Sequence, residues 1–398
     1  MTKKIFRILL FVIVINLGGC GFYEEIREFY PSAFAQVDSG DQNEISEVTE
    51  LDRYFYCEGY RYWYQTLTLT ERIWYEDIEN ILCSMAQKSD LSKEGLRNGL
   101  TEEEIDRIFQ CVMMDHPELF FVDGYVYTIG KLGDKTEKIS FSGTYNVTYE
   151  EAVRRKNEIE KYVEPIVAGA PKTTDDYELI KYVYEDLIRE TDYDLDAPDN
   201  QNIYSVFVGK LSVCQGYAKA TQYLLNRLGV KCTLVSGRVQ GGNLHGWNLV
   251  NSNGDYYFVD TTWGDASYNS SEEDKQIDLT DINYDYLCVT TEELSRTHQF
   301  EEGMEVPCCN AVRDNYFVRQ GLYFTSLDQE QLKQVFQAAS FAENQRVTIK
   351  CDSRVLYEQM RKLLIEDGNV FQYYSQAVGS IVYVQNDEQY SMTFWVTN

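Results

Sequence analysis

The stretch Leu211–Asp265, LSVCQGYAKATQYLLNRLGVKCTLVSGRVQGGNLHGWNLVNSNGDYYFVDTTWGD, decides how this chain is read. Behind Cys214, the residues Tyr217, Ala220, Thr221, Leu224, Leu225 and Leu228 recur at helical spacing, and Gly229 supplies the stop a helix C-terminus favours. Cys214 therefore falls in or just before the first turn, where unpaired N–H groups and the positive end of the helix dipole favour a thiolate. Cys232–Val239 reads as a strand, Gln240–Asn243 as a glycine-rich turn and His245–Val250 as a second strand. Asn251–Gly254 is a hairpin turn, and Tyr256–Asp260 returns as a third strand. His245 begins the middle strand and Asp260 ends the next, so an antiparallel hairpin brings them together. A carboxylate there can hold the imidazole tautomer that accepts a thiol proton.

A cysteine met at random is more often a small buried hydrophobe than a nucleophile. Two features weigh against that here: Gln215 and Gly216 leave open space beside the sulfur, and a histidine and an aspartate follow in hairpin register. The chain has only three histidines. His116, in MDHPEL, ends a helix and suits capping or packing. His298 follows the helical-looking TTEELSRTH and is expected to close a turn against the core. His245 is the candidate base.

Cys214-Gln215-Gly216-Tyr217-Ala218, His245-Gly246-Trp247-Asn248 and Val259-Asp260-Thr261-Thr262-Trp263 resemble, in order and spacing, the C-x-G-Y-A, H-A-W-N and V-D-x-T-W motifs of the transglutaminase-like superfamily. Gly246 stands where alanine is common. The likeness extends over roughly Asp175–Phe300, including Tyr284–His298. It implies an α+β, papain-like core in which a helix bearing the cysteine packs on an antiparallel sheet bearing the histidine and aspartate. It further implies Cys214 as nucleophile, His245 as general base and then acid, and Asp260 as the group that orients the imidazole. The chemistry implied is an acyl-enzyme: thiolate attack, an oxyanion, a thioester, and release to water or an amine. The Cys214 N–H is the expected first oxyanion donor. Gln201, about a dozen residues upstream, is the candidate second donor, with a solvated loop glutamine the competing reading; Trp247 is placed with it as a candidate lining of the substrate cleft.

The start of the chain is short and basic (Lys3, Lys4, Arg7). An apolar run, Ile8–Leu17, follows, too short to span a bilayer. Leu17-Gly18-Gly19-Cys20 resembles a bacterial lipobox, so residues 1–19 are expected to be a signal peptide and Cys20 to carry lipid; the rival is ordinary cleavage after Ala35. Residues 20–50 form an acidic tether. The expected location is the outer face of a bacterial cell membrane. The formal net charge of −28 argues against nucleic acid and anionic lipid surfaces as partners.

Residues 51–167 are expected to form a small α+β region. Its aromatic opening, Tyr54–Tyr64, suits packing better than a binding platform. Helices follow over Glu71–Gln87 and from a Thr101/Glu104 capping box to Met114, then a hairpin (Val122–Ile129 with Lys138–Tyr145) and a helix from Thr148 to about Val163. Ala168–Lys172 reads as a linker, residues 168–305 as the core, and residues 306–398 as a small α/β domain opening with a strand over Tyr316–Phe324. Ser267–Asp281 is an acidic loop lacking the glycine and regular oxygen spacing of a calcium loop, so no Ca²⁺ is expected. Without a C-x-x-C pair, phosphate loop or nucleotide fingerprint, no metal and no cofactor are expected. The ten cysteines do not name disulfide partners.

The function expected is an extracytoplasmic, thiol-dependent acyl-transfer enzyme acting on protein or peptide amides, with hydrolysis favoured over amine transfer. The alternative is a cell-surface binding or assembly protein that keeps the fold without catalysis.

Overall fold

A computed structural model describes residue 55 and residues 59–265, 282–341, 345–374 and 380–397. Cys20, the acidic tether and the 267–281 loop lie outside the described residues. In chain order the elements are α1 (Tyr62–Thr66), α2 (Leu69–Cys83), β1 (Ser89–Asp90), α3 (Lys93–Arg97), α4 (Ile105–Asp115), β2 (Val122–Leu132), β3 (Lys135–Tyr145), α5 (Tyr149–Gly169), α6 (Asp176–Glu190), β4 (Asp192–Tyr193), β5 (Leu211–Ser212) and α7 (Cys214–Arg227). Then come β6 (Cys232–Val239), β7 (Leu244–Ser252), β8 (Asp255–Val259), α8 (Thr261–Gly264), α9 (Thr291–Leu294), β9 (His298–Phe300), α10 (Tyr316–Arg319), β10 (Tyr323–Phe324), α11 (Gln329–Ala339), β11 (Arg346–Cys351), α12 (Arg354–Arg361), β12 (Ser380–Asn386) and β13 (Ser391–Thr397).

The fold is built around α7. Every residue from Cys214 to Leu225 is buried, so this helix is enclosed rather than laid on a surface. Against it lies a sheet of order β8-β7-β6-β9. Its hairpin β7–β8 turns on Asn253 and Gly254, both at positive φ (52° and 95°), the two-residue turn whose twist matches paired strands. Strand β9 pairs with β6, Phe300 opposite Gly237. A Cβ on Gly237 would sit 2.0 Å from the Gln299 carbonyl oxygen and 2.7 Å from the Trp247 ring, so only glycine lets β9 close on the sheet.

The N-terminal region departs from the expected boundary. Its sheet, ordered β1-β3-β2, packs with α2 and α4, but Trp74, Ile78, Phe109 and Phe121 share one core with Val183, Leu224 and Leu234. The described residues of this region therefore share their core with the rest of that unit. Helix α5 runs to Gly169, through Pro165 and into the expected linker, because Ile166 and Val167 pack on that core and hold the turn beyond the proline. The aromatic stretch packs, as expected: Phe55 and Trp63 are buried, and Trp63 Nε1 donates to the Leu234 carbonyl at 3.1 Å.

His116 caps α4 and is fully enclosed. Its Nδ1 lies 2.7 Å from Glu118 Oε1 and its Nε2 2.9 Å from Glu79 Oε1. Burial pushes the imidazolium down, but the two carboxylates outweigh it and raise the ring from 6.5 to about 10. A raised histidine stabilises the fold fully below the unfolded value, and the contribution disappears as pH rises through the folded one. The thermal-midpoint gap between the native chain and His116→Gln is therefore expected to be widest below pH 6.5 and to close by about 10. Unfolding scans across that range check it.

The C-terminal sheet, β10-β11-β13-β12, has its own core with α11 and α12, including Phe324, Phe336, Ile349, Met360 and Phe394. Two expectations are corrected. Tyr316–Phe324 is not one strand: Asn315 accepts the Phe317 N–H at 3.0 Å and starts α10, and Gly321 at φ 69° turns the chain into the two-residue β10. Residues up to Arg319 also belong with the preceding unit, since Arg319 bonds Asp175 and Asp314, and Ser252 donates to Asp314 at 2.8 Å. The two units meet at Lys350. Buried completely, its ammonium stands 3.3 Å from Asp285 and 3.7 Å from Glu293.

Candidate active site

Cys214 is the first residue of α7, and the N-cap before it, Val213, is extended and carries no side-chain oxygen to occupy the N–H groups. The C-x-G motif has a steric cause. A Cβ on Gly216 would fall 2.0 Å from Ser212 Oγ and within 3.2 Å of the Asn200 and Asn202 carbonyl oxygens, so the glycine admits the 200–202 segment against the cysteine end of the helix. That segment is tied down by Val213 N–H and Ser212 Oγ donating to the Asn200 carbonyl at 3.1 and 2.7 Å.

His245, on β7, places Nε2 2.7 Å from Asp260 Oδ2, and Cys214 is close enough to bear on its ionisation. With Nε2 on the carboxylate, Nδ1 is the nitrogen left for the sulfur. Burial would push the imidazolium down, but the Asp260 charge and Cys214 outweigh it and raise it from 6.5 to about 10. Asp260 follows β8 as the N-cap of α8, and its Oδ1 accepts the Trp263 N–H at 3.1 Å. Complete burial disfavours its charge, yet His245 and the hydrogen bonds from both His245 and His298 hold it well below the usual carboxylate range. Cys214 is 8% exposed, His245 1% and Asp260 0%, so a substrate reaches this chain of groups at the sulfur.

The other motif residues are joints. Asn248 donates to the Ala218 carbonyl at 2.9 Å and to that of Thr233 at 3.3 Å, clamping helix to sheet. Thr221 and Thr261 share a hydrogen bond of 2.8 Å, and Tyr217 donates to the Thr191 carbonyl at 2.7 Å.

Gln201 is exposed, beside the segment that braces the helix, and among the described residues no side-chain hydrogen bond joins it to Cys214. Trp247 is corrected: fully buried, it packs beneath the site against Phe300 and the imidazoles and lines no cleft, because Phe300 and His298 of β9 cover the face of β7 that it shares with His245. His298 closes the 295–297 turn against the core, as expected, but it does more: it opens β9 and sets Nε2 2.9 Å from Asp260 Oδ2, the oxygen His245 already uses. Histidine scarcity was the available signal; the pairing of β9 with β6, more than 50 residues away along the chain, was not legible.

His245, Asp260 and His298 could also supply donors to a cation, their ligand atoms lying within 4.8 Å of one another. The N···O separations of 2.7 and 2.9 Å are hydrogen-bond lengths. Ligands of a tetrahedral zinc with bonds of about 2.0–2.1 Å stand roughly 3.3 Å apart. As arranged, the three share protons. Cys111, Cys214, Cys232, Cys288, Cys308, Cys309 and Cys351 are free thiols.

Residues 160–261 match the family described as the transglutaminase-like superfamily. No curated protein matches the chain. Among solved structures, one described as a TGase is similar at 15% identity and TM-score 0.27, over 39% of this chain and 56% of the other. A cysteine-protease candidate from Cytophaga hutchinsonii is similar at 10% identity and TM-score 0.24, over 34% of this chain and 61% of its own. A protease candidate from Parabacteroides distasonis is similar at 6% identity and TM-score 0.22, over 34% and 39%. The chain thus spans less than two thirds of each, and scores this low say nothing about activity.

Proposed function

We propose that the transglutaminase-like domain at residues 160–261 makes this chain a thiol-dependent acyl-transfer enzyme acting on protein or peptide amides, with hydrolysis favoured over transfer to an amine. The observation that carries the reading is the His245–Asp260 hydrogen bond beside Cys214, with the sulfur at a helix N-terminus and the carboxylate on Nε2 of the imidazole.

The chemistry follows from that order. His245 Nδ1 takes the Cys214 proton, and the sulfur bonds to the amide carbon while the carbonyl electron pair moves to oxygen. The Cys214 N–H, uncapped by Val213, is a donor for that oxyanion. The oxyanion collapses, the C–N bond breaks, and His245 Nδ1–H protonates the departing amine, leaving a thioester. Water then attacks the thioester carbon, giving a proton to His245; the C–S bond breaks, the acid leaves, and the proton returns to sulfur. Asp260 keeps Nδ1 facing sulfur and stabilises each imidazolium. Water is favoured as acceptor because it is always present and no amine site is evident. The lipobox-like Leu17-Gly18-Gly19-Cys20 supports placing the enzyme outside the cell on a lipid anchor.

Iodoacetamide labelling of Cys214 against pH tests the reading. Labelling is expected to be fast and to slow in His245→Ala. A rate that follows an ordinary thiol and ignores His245 would overturn the enzyme reading in favour of a binding protein that retains the fold.

A further inference from the structure

Nothing in the three-residue scheme requires a second imidazole, yet one is built into the site. His298 Nε2 stands 2.9 Å from the same Asp260 oxygen that His245 holds at 2.7 Å. Its other nitrogen lies 2.8 Å from Thr297 Oγ1. The ring is enclosed by aromatics, with centroids 4.9 Å from Trp263, 5.0 Å from Trp247 and 5.7 Å from Tyr286, and only 1% of the residue is exposed. Inside that box an imidazole bonds protein or nothing.

The hydrogen-bond inventory fixes Nε2: Asp260 is an anion and accepts only, so Nε2 must carry the hydrogen. Nδ1 of a neutral ring is then an acceptor, and the Thr297 hydroxyl, 2.8 Å from it and 3.4 Å from the Leu294 carbonyl oxygen, turns its hydrogen to the nearer partner. Burial and the neighbouring His245 charge keep His298 neutral, lowering it from 6.5. The carboxylate thus receives three donors: His245 and His298 on Oδ2, and the Trp263 N–H on Oδ1. Trp263 alone leaves the carboxylate free to pivot about Oδ1; the second imidazole removes that freedom.

We infer that His298 is a positioning residue of this site, a neutral Nε2–H donor that fixes Asp260 Oδ2 on His245 and so sets the base toward Cys214. The inference rests on the proposed catalytic reading and adds a fourth member to it. The fold also supplies outer support: Tyr286 OH donates to Thr297 Oγ1, and Gln389 of the C-terminal unit donates to the Glu293 carbonyl at 3.1 Å and reaches Thr297 Oγ1 at 3.4 Å. The C-terminal sheet is thereby joined to the residue that buttresses the site.

The test is the iodoacetamide labelling rate of Cys214 in the full chain at one near-neutral pH, with the thermal midpoint of each variant recorded. His298→Phe keeps a ring but no donor and is expected to label about tenfold more slowly, the loss of one charge-assisted hydrogen bond. His298→Gln, whose Nε2 can donate from a similar position, should recover most of the rate. In an Asp260→Asn background, His298→Phe should change the rate less than about twofold, because the group it acts through is gone. Independent losses that multiply, a glutamine variant as slow as phenylalanine, or a folded His298→Phe as fast as the native chain would each overturn the inference. A native thiol indifferent to His245 would instead defeat the catalytic reading, and this one with it. Histidine-selective ¹⁵N NMR on the native chain needs no variant: a His298 resonance with Nε2 protonated and Nδ1 bare is expected, and the opposite tautomer would refute the assignment.

Discussion

Cys214→Ala is expected to abolish acyl transfer, by about four orders of magnitude or more, with the fold intact. The sulfur is the only atom in the described site that can bond covalently to an amide carbon, and no neighbour can replace it: His245 faces it as base and Asp260 is buried behind. Removing one sulfur at the first position of α7 deletes no cap and no joint, since helix and sheet are held by Asn248, Thr221 and Tyr217. Turnover of a peptide amide, or thioester trapping, together with an unchanged thermal midpoint, checks both halves of the expectation. Lost activity with lost folding would move Cys214 from chemistry to packing.

Asp260→Asn is expected to cut the rate by about 10⁴-fold while removing almost no volume. The cause is directional. Oδ2 accepts two imidazole N–H groups and Oδ1 accepts the Trp263 N–H. An amide has one oxygen and one NH₂. With its oxygen toward the histidines, the NH₂ meets the Trp263 N–H donor to donor. Turned about, the NH₂ faces both imidazoles, and His245 must move its hydrogen to Nδ1, where it can no longer accept the Cys214 proton. Either way the network breaks. Single-turnover rates, with the His245 tautomer read by ¹⁵N NMR, check the expectation; a rate near the native one would show that the imidazole is held by something other than this carboxylate.

The candidate site in Leu211–Asp265 was legible because most of its parts are local. The helical spacing behind Cys214, the two-residue Asn253-Gly254 turn and the positions of His245 and Asp260 along paired strands are short-range facts; the hairpin brings His245 to Asp260, and packing of α7 on the sheet brings Cys214 to them. The outlying strand was not legible. His298 comes to Asp260 through β9, whose partner β6 lies far back in the chain, and nothing local to TTEELSRTHQF specifies that pairing. Gly237, which lets β9 approach, has no recognisable role until its partner is known.

All three histidines are enclosed, so their neighbours rather than their burial distinguish them. His116 and His245 both sit among carboxylates and both hold their protons strongly, yet only His245 faces a thiol. The sequence by itself determined the identity and order of the proposed nucleophile, base and carboxylate, because motif spacing and hairpin register are properties of neighbouring residues. The tertiary structure alone decided that Trp247 is core, that the N-terminal region shares the catalytic core, and that Asp260 serves two imidazoles, because packing and long-range strand pairing depend on which distant surfaces bury one another.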